Sequence, residues 1–143
     1  MIEGFYAASK RFFALPEDTK RQYEIPGMAG QRGYTSFGKE HAKQSKVADL
    51  KEFFQIGQEV EGDEALRRSY PENVQVAEEP EFTALGIRLY KAFEKAGAEL
   101  LRAIAIHLGI GEGYFDDKIK NGNSILRAIH YPPIIQEPAS AIR

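Results

Sequence analysis

Apolar positions recur at helical spacing from the first residues of the chain. Ile2, Phe5, Tyr6, Phe12, Phe13 and Leu15 predict an amphipathic helix. No capping residue precedes it, so this helix either has a natural short start or begins partway through a longer element. Pro16 suits a first helical turn, and the run to Tyr23 places acids first and bases last, which complements a second helix's dipole. Pro26, Gly27, Gly30 and Gly33 mark a loop. Residues 33–38 then predict a short strand or extended segment, and residues 52–57, opening Glu52-Phe53-Phe54, a second strand. Residues 58–79 are polar, acidic and broken by Gly62 and Pro71, which predicts a long surface connection.

Pro80 opens the dominant helix. Phe82, Leu85, Leu89, Tyr90, Phe93, Ala96, Leu100, Leu101, Ile104, Ala105 and Leu108 trace one apolar stripe, and Gly109 is a natural stop. Such a helix is ~43 Å long, and its stripe reads as core packing rather than a ligand box. Glu112 to Lys120 predicts a shorter helix, closed by an Asn121-Gly122-Asn123 turn. The last element is a strand over 124–131, stopped by Pro132 and Pro133, which cannot donate to a ladder. Alternation puts Ile125, Arg127, Ile129 and Tyr131 on one face and Leu126, Ala128 and His130 on the other. A charge and a phenol on one face of an otherwise apolar strand predict that this face looks into a pocket. Helices and strands lack the regular alternation of a doubly wound sheet, so the fold class is α+β.

Composition narrows the function more than the fold. The chain has 143 residues, 43% hydrophobic and 28% charged, the balance of one ordinary globular domain. A formal net charge of −2 argues against nucleic acid as a partner. The absence of cysteine removes disulfides, thiolate metal sites and cysteine nucleophiles, and fits a reducing cytoplasm. No apolar run approaches the ~20 residues that span a bilayer, and no signal-peptide layout opens the chain. No phosphate-binding glycine loop, Ser/His/Asp arrangement or basic-aromatic patch is present. Asp49-Leu50-Lys51-Glu52 pairs carboxylates, but general acid–base work needs a defined site, and the segment reads as solvated or salt-bridged.

Several short segments, in order, resemble the isopenicillin N synthase-like family of 2-oxoglutarate- and iron(II)-dependent oxygenases. They are Arg11-Phe12-Phe13-Ala14-Leu15-Pro16 with Lys20, Arg32-Gly33-Tyr34-Thr35 with Glu40, and Asp49-Leu50-Lys51-Glu52-Phe53-Phe54 with Gly57. The long helix closing on Leu108-Gly109 and Arg127-Ala128-Ile129-His130-Tyr131-Pro132-Pro133 complete the set. The resemblance implies a single partial domain over 1–143. Residues 1–123 would form the helical N-terminal region, and 124–143 the first strand entering an incomplete double-stranded β-helix (jelly-roll) barrel. It implies a parent enzyme that uses iron(II) and 2-oxoglutarate to hydroxylate, desaturate or cyclise a small molecule, completed by the missing C-terminal barrel of the same protein.

The family holds iron with a His-x-Asp pair and a distant His, two imidazoles and a carboxylate on one face of the metal. Here His41 is followed by Ala-Lys, His107 by Leu-Gly and His130 by Tyr-Pro, so no such pair exists. The chain alone is therefore expected to lack catalytic and metal-ligating residues and to be inactive. His107 reads as a core or boundary residue, His41 as exposed and His130 as structural.

The resemblance assigns Tyr131 to the 2-oxoglutarate or substrate pocket, where a phenol can donate to a carboxylate. The alternative is a core tyrosine. Arg127 could add charge for an anionic co-substrate, or make an ion pair to the helical layer. Ile129 stands where some plant members carry asparagine. Arg32, Tyr34 and Glu40 correspond to the mouth of the substrate site, against a purely structural Arg-Gly-Tyr turn. A different class of function also fits: a non-enzymatic binding or assembly module that keeps the oxygenase scaffold and uses its unpaired strand edges for association.

Overall fold

The computed structural model describes residues 1–28, 31–41, 48–60, 62 and 64–133. Gly30 of the expected loop and residues 134–143 of the expected barrel entry lie outside the described residues. The elements are α1 (Ile2–Phe13), α2 (Glu17–Arg21), β1 (Gly33–Thr35), β2 (Glu52–Gly57), α3 (Glu64–Arg67), α4 (Pro80–His107), α5 (Asp116–Ile119) and β3 (Ile125–His130). The three strands form an antiparallel sheet in the order β1-β2-β3.

The core lies between one face of this sheet and the pair α1 and α4. Alternation puts Phe54 and Ile56 of β2, Tyr34 of β1, and Leu126 and Ala128 of β3 on that face. Phe12 is the hub. It is fully buried, and its ring lies 5.0–6.2 Å from those of Phe13, Tyr23, Tyr34, Phe54 and Phe82. Edge-to-face and offset ring pairs of this kind add to the burial of area itself. Arg11 clamps Glu79, the residue before α4, through two bonds of 2.8 and 2.9 Å, fixing α1 against the start of the long helix.

Three local expectations are corrected. The first extended segment pairs only over Gly33–Thr35. The connection 58–79 is not simply surface: it contains α3, and Val60 and Val76 are buried. The stripe of α4 is core over only part of its length. Phe82, Leu89 and Tyr90 are buried, whereas Phe93, Leu100, Ile104 and Leu108 are exposed among the described residues. The reason is length. A helix of 28 residues runs ~42 Å, while the six-residue strands and α1 reach about 20 Å along it. The same region exposes His107, expected at a core boundary. Gly109 ends α4 as expected, at φ +69°, with the Ile110 amide returning to the Ala105 carbonyl.

Close approach of α4 to the sheet depends on Gly86. A Cβ there would lie 2.1 Å from Ile56 Cδ1 and 3.0 Å from Phe5 Cε2. Gly86→Ala should therefore destabilise the protein by about 1–3 kcal/mol, despite a helix-propensity gain of roughly 1 kcal/mol. Ile56→Val removes the clashing Cδ1, so the double variant should lose less than the sum of the single losses in urea unfolding. Strict additivity would show that Gly86 is not a packing contact.

Candidate functional site

The two faces of the sheet carry different chemistry. On the helical face, Glu52 opens β2 opposite His130, the last residue of β3. Its carboxylate is 4% exposed and accepts from three elements at once. Lys20 Nζ of α2 reaches Oε2 at 2.6 Å, the Tyr34 hydroxyl of β1 donates to the same oxygen, and His130 Nδ1 lies 2.7 Å from Oε1. Lys20 also donates to the Phe13 carbonyl at 3.2 Å, and the His130 ring stacks on Phe13 at 5.2 Å. Burial by itself pushes the Glu52 carboxyl up. The hydrogen bonds from Lys20, Tyr34 and His130 together outweigh it and hold the group below the usual carboxylate range. Burial, reinforced by the bond to Glu52, raises the Tyr34 phenol.

The opposite face carries Phe53, Gln55, Arg127 and Ile129, and Tyr131 continues its alternation beyond the last rung. The Arg127 guanidinium lies 4.3 Å over the Phe53 ring, makes long bonds of 3.4 Å to Gln55 Oε1, and sits 3.6 Å from Glu40 Oε1. Glu40 Oε2 in turn meets Lys51 Nζ at 2.7 Å, and Asp49 shares that cation at 2.8 Å. Hydrogen bonds to Asp49 and Glu40 raise the Lys51 ammonium. Beside this cluster a cleft of about 610 Å³ is lined in part by Thr35, Glu40, His41 and Phe53. Tyr131 is 67% exposed.

The structure thus brings Arg127 and Glu40 together on one side of the sheet, and Tyr131 follows just past its last rung. Arg127 is paired with the Glu40 segment, not with the helical layer. Tyr34 also borders that cleft, but its ring is buried on the helical face and its hydroxyl is donated to Glu52. Arg32 is fully buried. Its Nη1 donates to the Gln31 carbonyl at 2.7 Å, while Nε and Nη2 find no hydrogen-bond partner among the described residues. Burial lowers the pKa of this guanidinium. The group is packed flat on Gly57, where a Cβ would lie 2.0 Å from Arg32 Cζ. Sealed in this way, Arg32 cannot meet a substrate unless the protein opens. Among the described residues no group of three or more His, Asp or Glu could hold a metal ion, and no helix is long and apolar enough to cross a membrane.

Comparison with known proteins decides the family. Residues 1–78, more than half of the chain, match the family model for the non-haem dioxygenase in morphine synthesis N-terminal region. The chain belongs to the non-haem dioxygenase family. A 2-oxoglutarate-dependent dioxygenase of Aspergillus rugulosus, htyE, is 30% identical over 100% of this chain and 45% of its own length. The proline hydroxylase buaE of Petromyces alliaceus is 33% identical over 94% of the chain and 42% of its own length. A 2OG-Fe(II) oxygenase family protein from Caulobacter crescentus superposes with a TM-score of 0.83 at 38% identity, over 95% of this chain and 44% of that one. A full-length Neurospora crassa protein, solved in complex with alpha-KG, superposes with a TM-score of 0.67 at 30% identity, over 91% of this chain and 40% of that one. The chain therefore spans less than half the length of these relatives, and its mixed fold is that of the corresponding part of this dioxygenase family.

Glu52 and Lys20 both fall within the segments that resemble the family, but nothing local marks them as a buried pair. Glu52 stands in a segment that reads as solvated, and Lys20 at an ordinary helix end. The available signal is alternation: Glu52 shares its face with Phe54 and Ile56, so an acid at that position must enter the core. A carboxylate whose folded pKa is depressed contributes its stability above the unfolded value, near 4.3, and loses it as pH falls toward the folded pKa. The gap in urea midpoint between the protein and Glu52→Gln should thus be constant above about pH 5 and shrink progressively below about pH 4.3. A gap unchanged down to about pH 3 would contradict the depressed carboxyl.

Proposed function

We propose that this chain is the N-terminal part of a cytoplasmic 2-oxoglutarate- and iron(II)-dependent dioxygenase that oxidises a small molecule, and that residues 124–143 lead into its catalytic barrel. The observation that carries the reading is the sheet register. It turns Arg127 away from the helical layer, and Tyr131, one residue past the last rung, continues that alternation toward the face such a barrel would enclose. There an arginine, still partly exposed beside Gln55, and a free phenol can take the two oxygens of a carboxylate. Arg127 supplies charge, Tyr131 a directional donor, and Ile129 between them an apolar wall that strengthens both by excluding water.

The described residues do not fit the iron, and in this reading its ligands come from the sequence that follows. Iron and 2-oxoglutarate, when bound, supply oxidative decarboxylation coupled to substrate oxidation. This part of the chain binds and orients the co-substrate. Glu40, Lys51 and Asp49 form the charged rim beside it and set what can approach. Arg32, enclosed over Gly57, holds the sheet end and is not a contact of the resting site.

The test is succinate production from 2-oxoglutarate. The protein extended by the coding sequence after Arg143 should form succinate in an iron(II)-dependent reaction, whereas the 143 residues alone should form none. Tyr131→Phe in the extended protein removes one hydrogen bond and should raise the KM for 2-oxoglutarate about two- to tenfold with kcat little changed. Turnover by the 143 residues, or an extended protein inert toward 2-oxoglutarate, would overturn the reading in favour of a non-enzymatic module.

A further inference from the structure

We propose that the pair Glu52–His130 is the positioning device for Tyr131, a role that rests on the reading of Tyr131 as a co-substrate contact. Among the described residues, the end of β3 has nothing else to aim that residue. The final rung of the sheet is Glu52 opposite His130, so Tyr131 stands one residue past the ladder. Pro132 and Pro133 follow and have no amide hydrogen to give to β2. Among the described residues no hydrogen bond, ion pair or ring contact holds the Tyr131 side chain, and it is largely exposed. Its direction is therefore inherited from the residue before it, because consecutive Cβ atoms on a strand point to opposite faces.

His130 is anchored along both its edge and its face. The ring nitrogen Nδ1 is 2.7 Å from Glu52 Oε1. Since a carboxylate only accepts, Nδ1 carries the hydrogen. The ring plane stacks on Phe13 of α1 at 5.2 Å and 26°. Glu52 cannot swing to follow a moving histidine, because its other oxygen is held by Lys20 and Tyr34 from α2 and β1. A rotation of the strand end would break the Nδ1 bond and leave one oxygen of the buried Glu52 carboxylate without that donor, which costs more than a bond broken in water. The chain thus leaves the sheet with His130 fixed inward and Tyr131 fixed outward. His130 touches no co-substrate; it acts through its neighbour.

The experiment separates positioning from plain stability. In the extended protein, His130→Phe keeps the ring on Phe13 but removes the hydrogen bond, whereas His130→Asn keeps a donor near the Nδ1 position. His130→Phe should raise the KM for 2-oxoglutarate by no more than Tyr131→Phe does, about two- to tenfold, with kcat within about twofold, and His130→Asn should return most of the loss. In a Tyr131→Phe background, His130→Phe should add nothing further. An equal, additive loss in that background, or no rescue by asparagine, would overturn the proposal. A second readout does not involve 2-oxoglutarate. With carbon-labelled tyrosine, the Tyr131 ring signals should shift in His130→Phe and return in His130→Asn, while those of exposed Tyr6 and Tyr114 stay put. If Tyr131→Phe leaves the KM unchanged but the ring signals still respond, Tyr131 is not a co-substrate contact and the positioning stands. If the ring signals do not move, the positioning itself fails. Should His130→Phe not fold, His130→Gln, which withdraws the donor from the Nδ1 position, takes its place in both measurements.

Discussion

A carboxylate at the centre of the fold governs the arrangement of everything around it. Glu52 sits almost out of contact with water, and an isolated charge there would cost many kcal/mol. It is tolerable only because donors from α2, β1 and β3 converge on its two oxygens. That requirement works in both directions. The carboxylate needs all three elements in place, and each element is fixed by having to supply its donor. A hydrophobic contact at the same spot could tolerate sliding by an ångström, whereas three directional bonds cannot. The aromatic cluster around Phe12 supplies the bulk of the cohesion, and the Glu52 bonds supply its register.

The division of labour between the two faces of the sheet follows from this. Inward-facing residues of β2 and β3 meet α1 and α4 in a packed core, and the outward face carries the Arg127, Gln55 and Phe53 contacts. Arg127 and Glu40, distant in sequence, are brought within 3.6 Å of one another on the outward face. Among the described residues, the second half of α4 exposes apolar side chains and β3 is an outer strand of the sheet.

Much of the fold can be read from the chain because it is written in local periodicity. The span of α4, its Gly109 stop, the extent of β2 and the two faces of β3 follow from spacing and from residues with special backbone preferences. The packing limits cannot be read in that way. The stripe from Phe93 to Leu108 looks the same as the stripe from Phe82 to Tyr90, yet Phe93, Leu100, Ile104 and Leu108 are exposed beyond the reach of the sheet, while Ala105 stays buried. On the candidate site, Arg127 and Tyr131 are marked by their place on a face. Tyr34 is not, because an Arg-Gly-Tyr string does not reveal that Gly33, at φ +71°, turns the chain between a sealed arginine and a core tyrosine. The partnership of Lys20, Glu52 and His130 joins positions 20, 52 and 130, a separation at which no local pattern operates.

The central claim is that Glu52 and Lys20 act as one unit. A double-mutant cycle in urea unfolding tests it most directly, using Lys20→Met, Glu52→Leu and the double variant at neutral pH. Breaking a buried pair from one side is expected to cost about 3–5 kcal/mol, so each single variant should be strongly destabilised. The double variant should then recover at least about 2 kcal/mol relative to the sum of the two losses. Losses that add to within about 0.5 kcal/mol would mean that the two residues contribute independently, and that the sheet is not held by this carboxylate.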